Sequence, residues 1–383
     1  MKHIIYIALL IIISSCSNRQ ESESIYVHLE INPEDCETIN FKDFFQETSI
    51  IPLETNDTTL ISFIYDIKKD GDYLFVLDVR NGSVFVYNDS GKIQHVIQHK
   101  GNGPEEYTRI SSMAVDPFHK ELHLIDNDTK KDLICDYTGN ILRIDPLPYP
   151  VTQIAFTDKD NRIIARKVTD INGGFVMNCY KNNDLIAQYH PFRYENGATV
   201  DYWETPFCTQ PNGIYVHIMY NDTIFRYDFN KPDGGVILQM ENGIPEELKT
   251  LPQQIALDRI DEYIKKHNNK VVHSPYLFKS DQSTIGLAYA YNKDTQYLMY
   301  DKLNHTSHTY KGLTIGEVPI KKFLYASLYR DDYMYFILDQ MKYDELSDED
   351  KNEIQNNYPE LYTIMEKTAL EDNPILLVAQ FKD

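Results

Sequence analysis

Positive charge is what this chain has least of. Against 58 acidic residues stand 37 Lys and Arg, leaving a net charge of −21. A nucleic-acid binder needs a cationic face for phosphates, so nucleic acid is excluded as a partner. Tryptophan occurs once and cysteine five times in 383 residues. No two cysteines stand at CxxC spacing, which removes the usual structural zinc site. HExxH, GxSxG and a completed GxGxxG or GK[ST] are all missing. Zincin, hydrolase-elbow and phosphate-loop chemistry fall away with them. Long apolar runs are missing too, with one exception. Ile4 to Ile13 is unbroken, yet too short to span a bilayer as a helix.

That run follows Lys2 and His3 and precedes Ile13-Ser14-Ser15-Cys16, the order of a signal peptide. It resembles the lipobox of bacterial lipoproteins, with Ile13 and Ser15 as departures from the commonest residues. The resemblance implies a signal peptide over 1–15, lipid attachment at Cys16 and a polar tether over 16–24. Ser17 in place of Asp favours the outer membrane. The lipid would be the only anchor. Cys36, Cys135, Cys179 and Cys208 remain, and Cys179–Cys208 is the first pairing to test in an oxidising compartment.

Strand signals are plentiful. Ser83-Val-Phe-Val-Tyr87, Gly213-Ile-Tyr-Val-His217 and Thr295-Gln-Tyr-Leu-Met-Tyr300 alternate with period two, and clusters such as Asn88-Asp-Ser-Gly91 punctuate them. Two stretches repeat in register. Tyr73-Leu-Phe-Val-Leu-Asp78 is answered by Glu121-Leu-His-Leu-Ile-Asp126, and Gly91 by Gly139, each 48 positions on. Such a period, built from short strands and turns, predicts propeller blades. Residues 25–383 are read as one all-β domain, a six-bladed β-propeller whose blades average about 44 residues. Two helical loop insertions interrupt it. The first, about 245–266, carries Leu248, Leu251, Ile255, Ile260 and Ile264 at helical spacing. In the second, 347–370, Ser347 is placed as a cap and Pro359 as a kink or divide. The strand Ser49 to Glu54 is expected to complete the last blade, with Ile25 to Ile31 as a further strand outside it.

Between the first two repeats lies His99-Lys-Gly-Asn-Gly-Pro-Glu-Glu-Tyr107. With the lipobox and Ile51-Pro-Leu-Glu-Thr55, it resembles a family of six-bladed propeller lipoproteins from Bacteroides-type bacteria. More distantly the blades are similar to TolB-like and NHL-type propellers. Gly101, Gly103, Pro104, Glu106 and Tyr107 match the family's G-x-G-P-x-E-Y/F crossover. The resemblance implies a fold and a cell-envelope location without selecting a ligand. The crossover itself reads better as a tight turn than as a phosphate loop.

Loops after each blade's second strand share a face with the inter-blade crossovers. Asp78, Arg80, Glu105, Glu106, Arg109 and Asp126 are therefore candidate ligand-binding residues on a funnel face. Each Asp taken alone reads better as a turn cap. Tyr202 and Trp203, in a long crossover, are candidate aromatic contacts for a sugar. Asp126-Asn-Asp128 with Asp132 lacks the Gly and distal Glu of a calcium loop. His119 and His123, four apart in an extended segment, are too far apart to chelate easily. No catalytic residue, metal ligand set or cofactor is identified. The leading expectation is a lipid-anchored module that binds a protein or glycan in the envelope. The alternative is a hydrolase or lyase acting on a sugar or lactone through funnel-face acids. A third reading gives the helical insertions a docking role in an envelope complex.

Overall fold

The structure, a computed structural model, describes residues 25–34, 36–166, 174–191, 207–210, 212–218, 221–228, 230–250, 253–330 and 333–381. Six sheets form a ring, the six-bladed propeller expected. Blade 1 comprises strands Ile64–Asp70, Tyr73–Asp78, Ser83–Asn88 and Ile93–Ile97, counted outward from the axis. Blade 2 comprises Ser112–Asp116, Glu121–Asp126, Lys131–Asp136 and Ile141–Pro146. Blade 3 runs from Val151–Phe156 to Asp184–Pro191, and blade 4 from Phe207–Gln210 to Lys231–Met240. Blade 5 spans His273–Ser280 to Thr306–Ile315. Blade 6 takes Leu324–Arg330, Tyr333–Leu338 and Ile375–Phe381 from the C-terminal end and Phe45–Pro52 from the N-terminal end. Because each blade is antiparallel, second-to-third-strand loops and crossovers share one face, the crossover face. First-to-second and third-to-fourth turns share the other, the turn face.

The 48-residue echo is a repeated turn. In blade 1, the Asn88 side-chain oxygen accepts from the amides of Ser90 and Lys92, both at 3.0 Å. In blade 2, Asp136 accepts from Thr138 and Asn140 at 2.9 and 3.0 Å. Gly91 and Gly139 hold the left-handed positions, with φ of 77° and 92°. Their surroundings differ. A Cβ on Gly91 would lie 2.1 Å from the Pro52 carbonyl oxygen of the closing strand. On Gly139 it would meet the Ile97 side chain at 3.1 Å.

The N-terminal segment walks outside half the ring before closing it. Ile25–Ile31 adds to blade 4, parallel to Lys231–Met240. This corrects the expectation that it lies outside the last blade. The reason is the next strand, Glu37–Asn40, which pairs in parallel with the outer strand of blade 5. The segment thus covers two successive open edges. Phe41–Phe44 forms one helical turn, and Phe41, Phe44 and Phe45 are buried among Phe278, Phe336 and Phe381. Phe45–Pro52 then pairs antiparallel with Ile375–Phe381, closing the ring as the sequence pattern implied.

Near the axis, side chains tie neighbouring blades. Arg330 Nε donates to Asp66 at 2.6 Å across the blade 6–blade 1 seam. Gln210 joins blades 4 and 5 through the Phe278 carbonyl and the Ser280 amide. Tyr276 donates to the Tyr329 carbonyl at 3.0 Å.

The first insertion forms helices Glu246–Lys249 and Gln253–Lys266, with Ile260 buried against Ile244 and Val271. In the second insertion, Ser347 caps Asp348–Asn357 through the Asp350 amide. Pro359 starts a separate helix, Pro359–Met365. Both insertions rise on the crossover face. Cys179 is a free thiol in the blade 3 interior, so the Cys179–Cys208 bridge is not formed. Burial pushes its pKa up to about 11.

Gly91→Ala is expected to cost about 2–3 kcal/mol, since both a left-handed backbone and a carbonyl at the seam oppose the methyl group. Gly139→Ala should cost about 1 kcal/mol. Denaturant unfolding of the two variants checks the ranking, and equal costs would refute it.

Candidate functional site

The echoed aspartates end equivalent strands and both are buried. Asp78 Oδ2 accepts from the Ser62 amide at 2.6 Å, and Oδ1 from Arg80 and Asn81 at 2.9 and 3.1 Å. Asp126 accepts from the Thr108 amide and hydroxyl at 2.7 and 3.0 Å, and from Asp128 and Thr129 at 2.9 and 3.1 Å. Each carboxylate ties the incoming crossover to the loop after the second strand. Burial raises the Asp126 pKa, but these donors outweigh it and hold the carboxyl below the ordinary range. Such groups have little accepting capacity left for a ligand.

The Gly101–Tyr107 crossover is likewise held by its own contacts. Tyr107 is buried, accepts from the His99 amide at 2.9 Å and donates to the Gly82 carbonyl at 2.8 Å. Glu106 accepts from the Gly103 amide at 2.7 Å. Lys131 Nζ donates to the carbonyls of Gly103, Pro104 and Glu106 at 3.1–3.3 Å. Glu105 is exposed. Arg109 is exposed and pairs with Asp128 at 3.1 Å. These residues share the predicted face without converging on a cavity. Tyr202, Trp203 and Cys16 lie outside the described residues.

Arg80 differs. Its guanidinium stacks 4.9 Å from the Phe63 ring centroid, and Phe63 packs edge-on against Tyr325 at 6.4 Å. Phe63 and Tyr325 line a cleft of about 300 Å³ on the crossover face. The cleft lies where the crossover into blade 1 meets the insertion of blade 6. Ile64, Met341, Met365 and Leu370 are part of its apolar wall. Helix Gln340–Asp344 is capped by Asp339, which accepts from the Lys342 amide at 3.1 Å. That cap places Met341 at the mouth. Tyr325, Met341 and Leu370 are 51%, 61% and 60% exposed, and Leu60 beside lining Ile61 is 52% exposed. Large apolar side chains so open to water in one place mark a binding surface. Gln340 Oε1, also in the wall, is buried without a hydrogen-bond partner. It offers one acceptor to an otherwise apolar ligand.

A second cavity, about 360 Å³, lies near the axis between Tyr65, Tyr276, Tyr289, Tyr329 and Arg330. Its walls are the blade-to-blade contacts described above.

The sequence reading reached Arg80 and missed the cleft. Its two walls are separated by nearly the whole chain and meet only at ring closure. Nothing local marked Met341 and Leu370, because the insertion between them carries other apolar residues, Ile354, Leu361 and Met365, that are buried.

These features define a six-bladed propeller with an apolar cleft beside its closing seam. Residues 25–380 match a family described as a domain of unknown function, DUF4934, and the chain belongs to it. Its fold is similar to that of a Bacteroides fragilis protein described as exported. That match has a TM-score of 0.73 at 20% identity and covers 94% of this chain and 100% of that one. A member of the duf4221 family from Bacteroides vulgatus matches with a TM-score of 0.49 at 11% identity, over 88% of this chain and 97% of that one. No curated protein matches.

Asp126→Ala is expected to lose about 3 kcal/mol of stability, because four donors lose an ionised acceptor. Since the folded pKa is depressed, the stabilisation is present above the unfolded value of about 4 and is lost as pH falls through the folded value. The stability gap between wild type and Asp126→Asn should therefore narrow below about pH 4. Urea unfolding between pH 7 and pH 3 checks this, and a constant gap would count against it.

Proposed function

We propose that the protein is a lipid-anchored cell-envelope binding module whose blade 6–blade 1 cleft takes an apolar segment of a partner protein. The observation that carries this reading is the cleft itself: a largely apolar wall, exposed anchors at its rim and the buried, unpaired Gln340 Oε1. A cavity of about 300 Å³ suits one or two large side chains, the usual scale of an interface anchor pocket. Methionine at the mouth adapts to varied apolar shapes. Arg80, stacked on Phe63, adds a cation beside the apolar floor.

Location follows from the N-terminal pattern. Lipidation at Cys16 would place the module on the envelope, with the outer membrane favoured by Ser17. No helix among the described residues is long and apolar enough to cross a membrane. The exported description of the Bacteroides fragilis neighbour agrees with secretion. Tyr202 and Trp203 remain the positions at which a glycan would be sought. The hydrolase reading relied on funnel-face groups converging, Asp78, Glu106, Arg109 and Asp126. The engagement of both Asp and of Glu106 by backbone amides, and of Arg109 by Asp128, supports the binding module instead.

Met341→Glu with Leu370→Glu should reduce recovery of a partner from native envelopes by about tenfold or more, with unfolding midpoint unchanged. Cross-linking should map the wild-type partner to the cleft. Undiminished recovery by the variant, or cross-links only elsewhere, would overturn the cleft assignment. Cys16→Ser should abolish incorporation of labelled fatty acid and release the protein from membranes. Continued labelling would refute the anchor.

A further inference from the structure

The turn face of blade 2 carries a cluster of different character. In the pairing of Ser112–Asp116 with Glu121–Asp126, Asp116 lies opposite Glu121. His123 is two residues beyond Glu121, so the two side chains share one face of the strand. One ligand-type atom from each of Asp116, Glu121 and His123 falls within 4.8 Å of the others. The spacing of His119 and His123 argued against chelation. The residues that converge are instead a neighbour on the same strand and its cross-strand partner.

His123 is 1% exposed. Its Nδ1 lies 2.8 Å from Asp132 Oδ2. Its Nε2 is buried with no hydrogen-bond partner and stands 3.9 Å from Glu121 Oε2. That gap is too long for a hydrogen bond. Tetrahedral zinc bonds of about 2.0–2.1 Å would set these two atoms about 3.4 Å apart, so a shift of about half an ångström would close them on an ion. With Nδ1–H donated to Asp132, the Nε2 lone pair points at carboxylate oxygens, an arrangement that a cation between them would stabilise. A carboxylate behind a histidine is the support that metal-ligating imidazoles commonly have.

Neighbouring groups leave room for an ion. Arg143 binds Glu121 through two bonds of 2.6 and 2.7 Å. Two of the carboxylate's roughly four lone-pair directions stay open beside this pairing. Asp116 accepts from the amides of Phe118 and His119 through Oδ1, and its Oδ2 lies 2.8 Å from His119 Nδ1. Asp116 and His123 also line a polar cavity of about 220 Å³ with His119, Lys159, Asn161 and Arg162. An ion there would have three protein ligands and a position open to solvent, the pattern of an accessible rather than a closed structural site.

We propose that Asp116, Glu121 and His123 form a divalent transition-metal site on the turn face of blade 2, with Asp132 orienting His123. Imidazole with two carboxylates suits zinc or manganese better than calcium or magnesium. The site lies on the face opposite the cleft and does not depend on the function proposed for it.

The test uses tag-free protein treated with EDTA and titrated with zinc against a chromophoric chelator. One equivalent should bind. Glu121→Gln should weaken binding at least tenfold and abolish the rise in unfolding midpoint that zinc gives the wild type. Asp132→Asn should weaken it about 10- to 100-fold. His123→Gln should remove it, and Glu121→Gln keeps the test decisive if that buried variant misfolds. Less than one equivalent bound, or wild-type affinity in Glu121→Gln, would overturn the proposal. So would nitrogen NMR showing protons on both His123 nitrogens with zinc present, since that signature means an imidazolium ion pair.

Discussion

The antiparallel pairing of Phe45–Pro52 with Ile375–Phe381 holds the ring shut, and the remaining architecture depends on it. Joining segments more than three hundred residues apart costs on the order of 5 kcal/mol in loop-closure entropy. The closing segment offsets this by burying Phe41, Phe44, Phe45, Ile51 and Leu53, each contributing about 2 kcal/mol. Its reach goes beyond blade 6. The preceding residues cover the outer edges of blades 4 and 5, so one continuous segment braces half the ring. Arg330 and Asp66 fasten the same seam from the axis side.

Closure also creates the candidate site. The cleft is bounded by the crossover into blade 1 and by the insertion that precedes the last C-terminal strand. Neither wall exists as part of a cleft until the seam forms. Ligand binding there would stabilise the closed ring, because a ligand that binds only the closed ring favours closure. The apolar floor and exposed rim are what the proposed recognition role rests on. In blades 1 and 2, Asp78 and Asp126 serve the scaffold. Asp78 and Asp126 are buried, ionisable and positioned alike, yet their oxygens are committed to backbone amides. A perturbed carboxylate on a propeller face is therefore not by itself a sign of catalysis.

The two faces divide the molecule's polar character. The crossover face carries both helical insertions and the apolar cleft. The turn face carries tight Asn, Asp and Gly turns and the His123 cluster. Ile25–Ile31 runs parallel to the outer strand of blade 4, so its first residue starts at the turn-face side.

Much of this was legible in one dimension. Alternating strands, the 48-residue echo and turn glycines specified blades, because strand period and left-handed turns are local properties. Ser347 and Pro359 located helix ends for the same reason. The pairing of Ile25–Ile31 was not legible, since an edge strand accepts any compatible neighbour and the choice depends on the path of the whole segment. The turn-capping role of Asp78 and Asp126 was legible from their strand-end positions, whereas their bonds to the crossover amides of Ser62 and Thr108 were not. The sequence by itself determined the repeat, the turns and the insertions, which follow from contacts between near neighbours. Only the tertiary structure decided which carboxylates were spent on the scaffold, where apolar residues stayed in water and which distant walls met. Those outcomes depend on contacts across the ring, which no local pattern encodes.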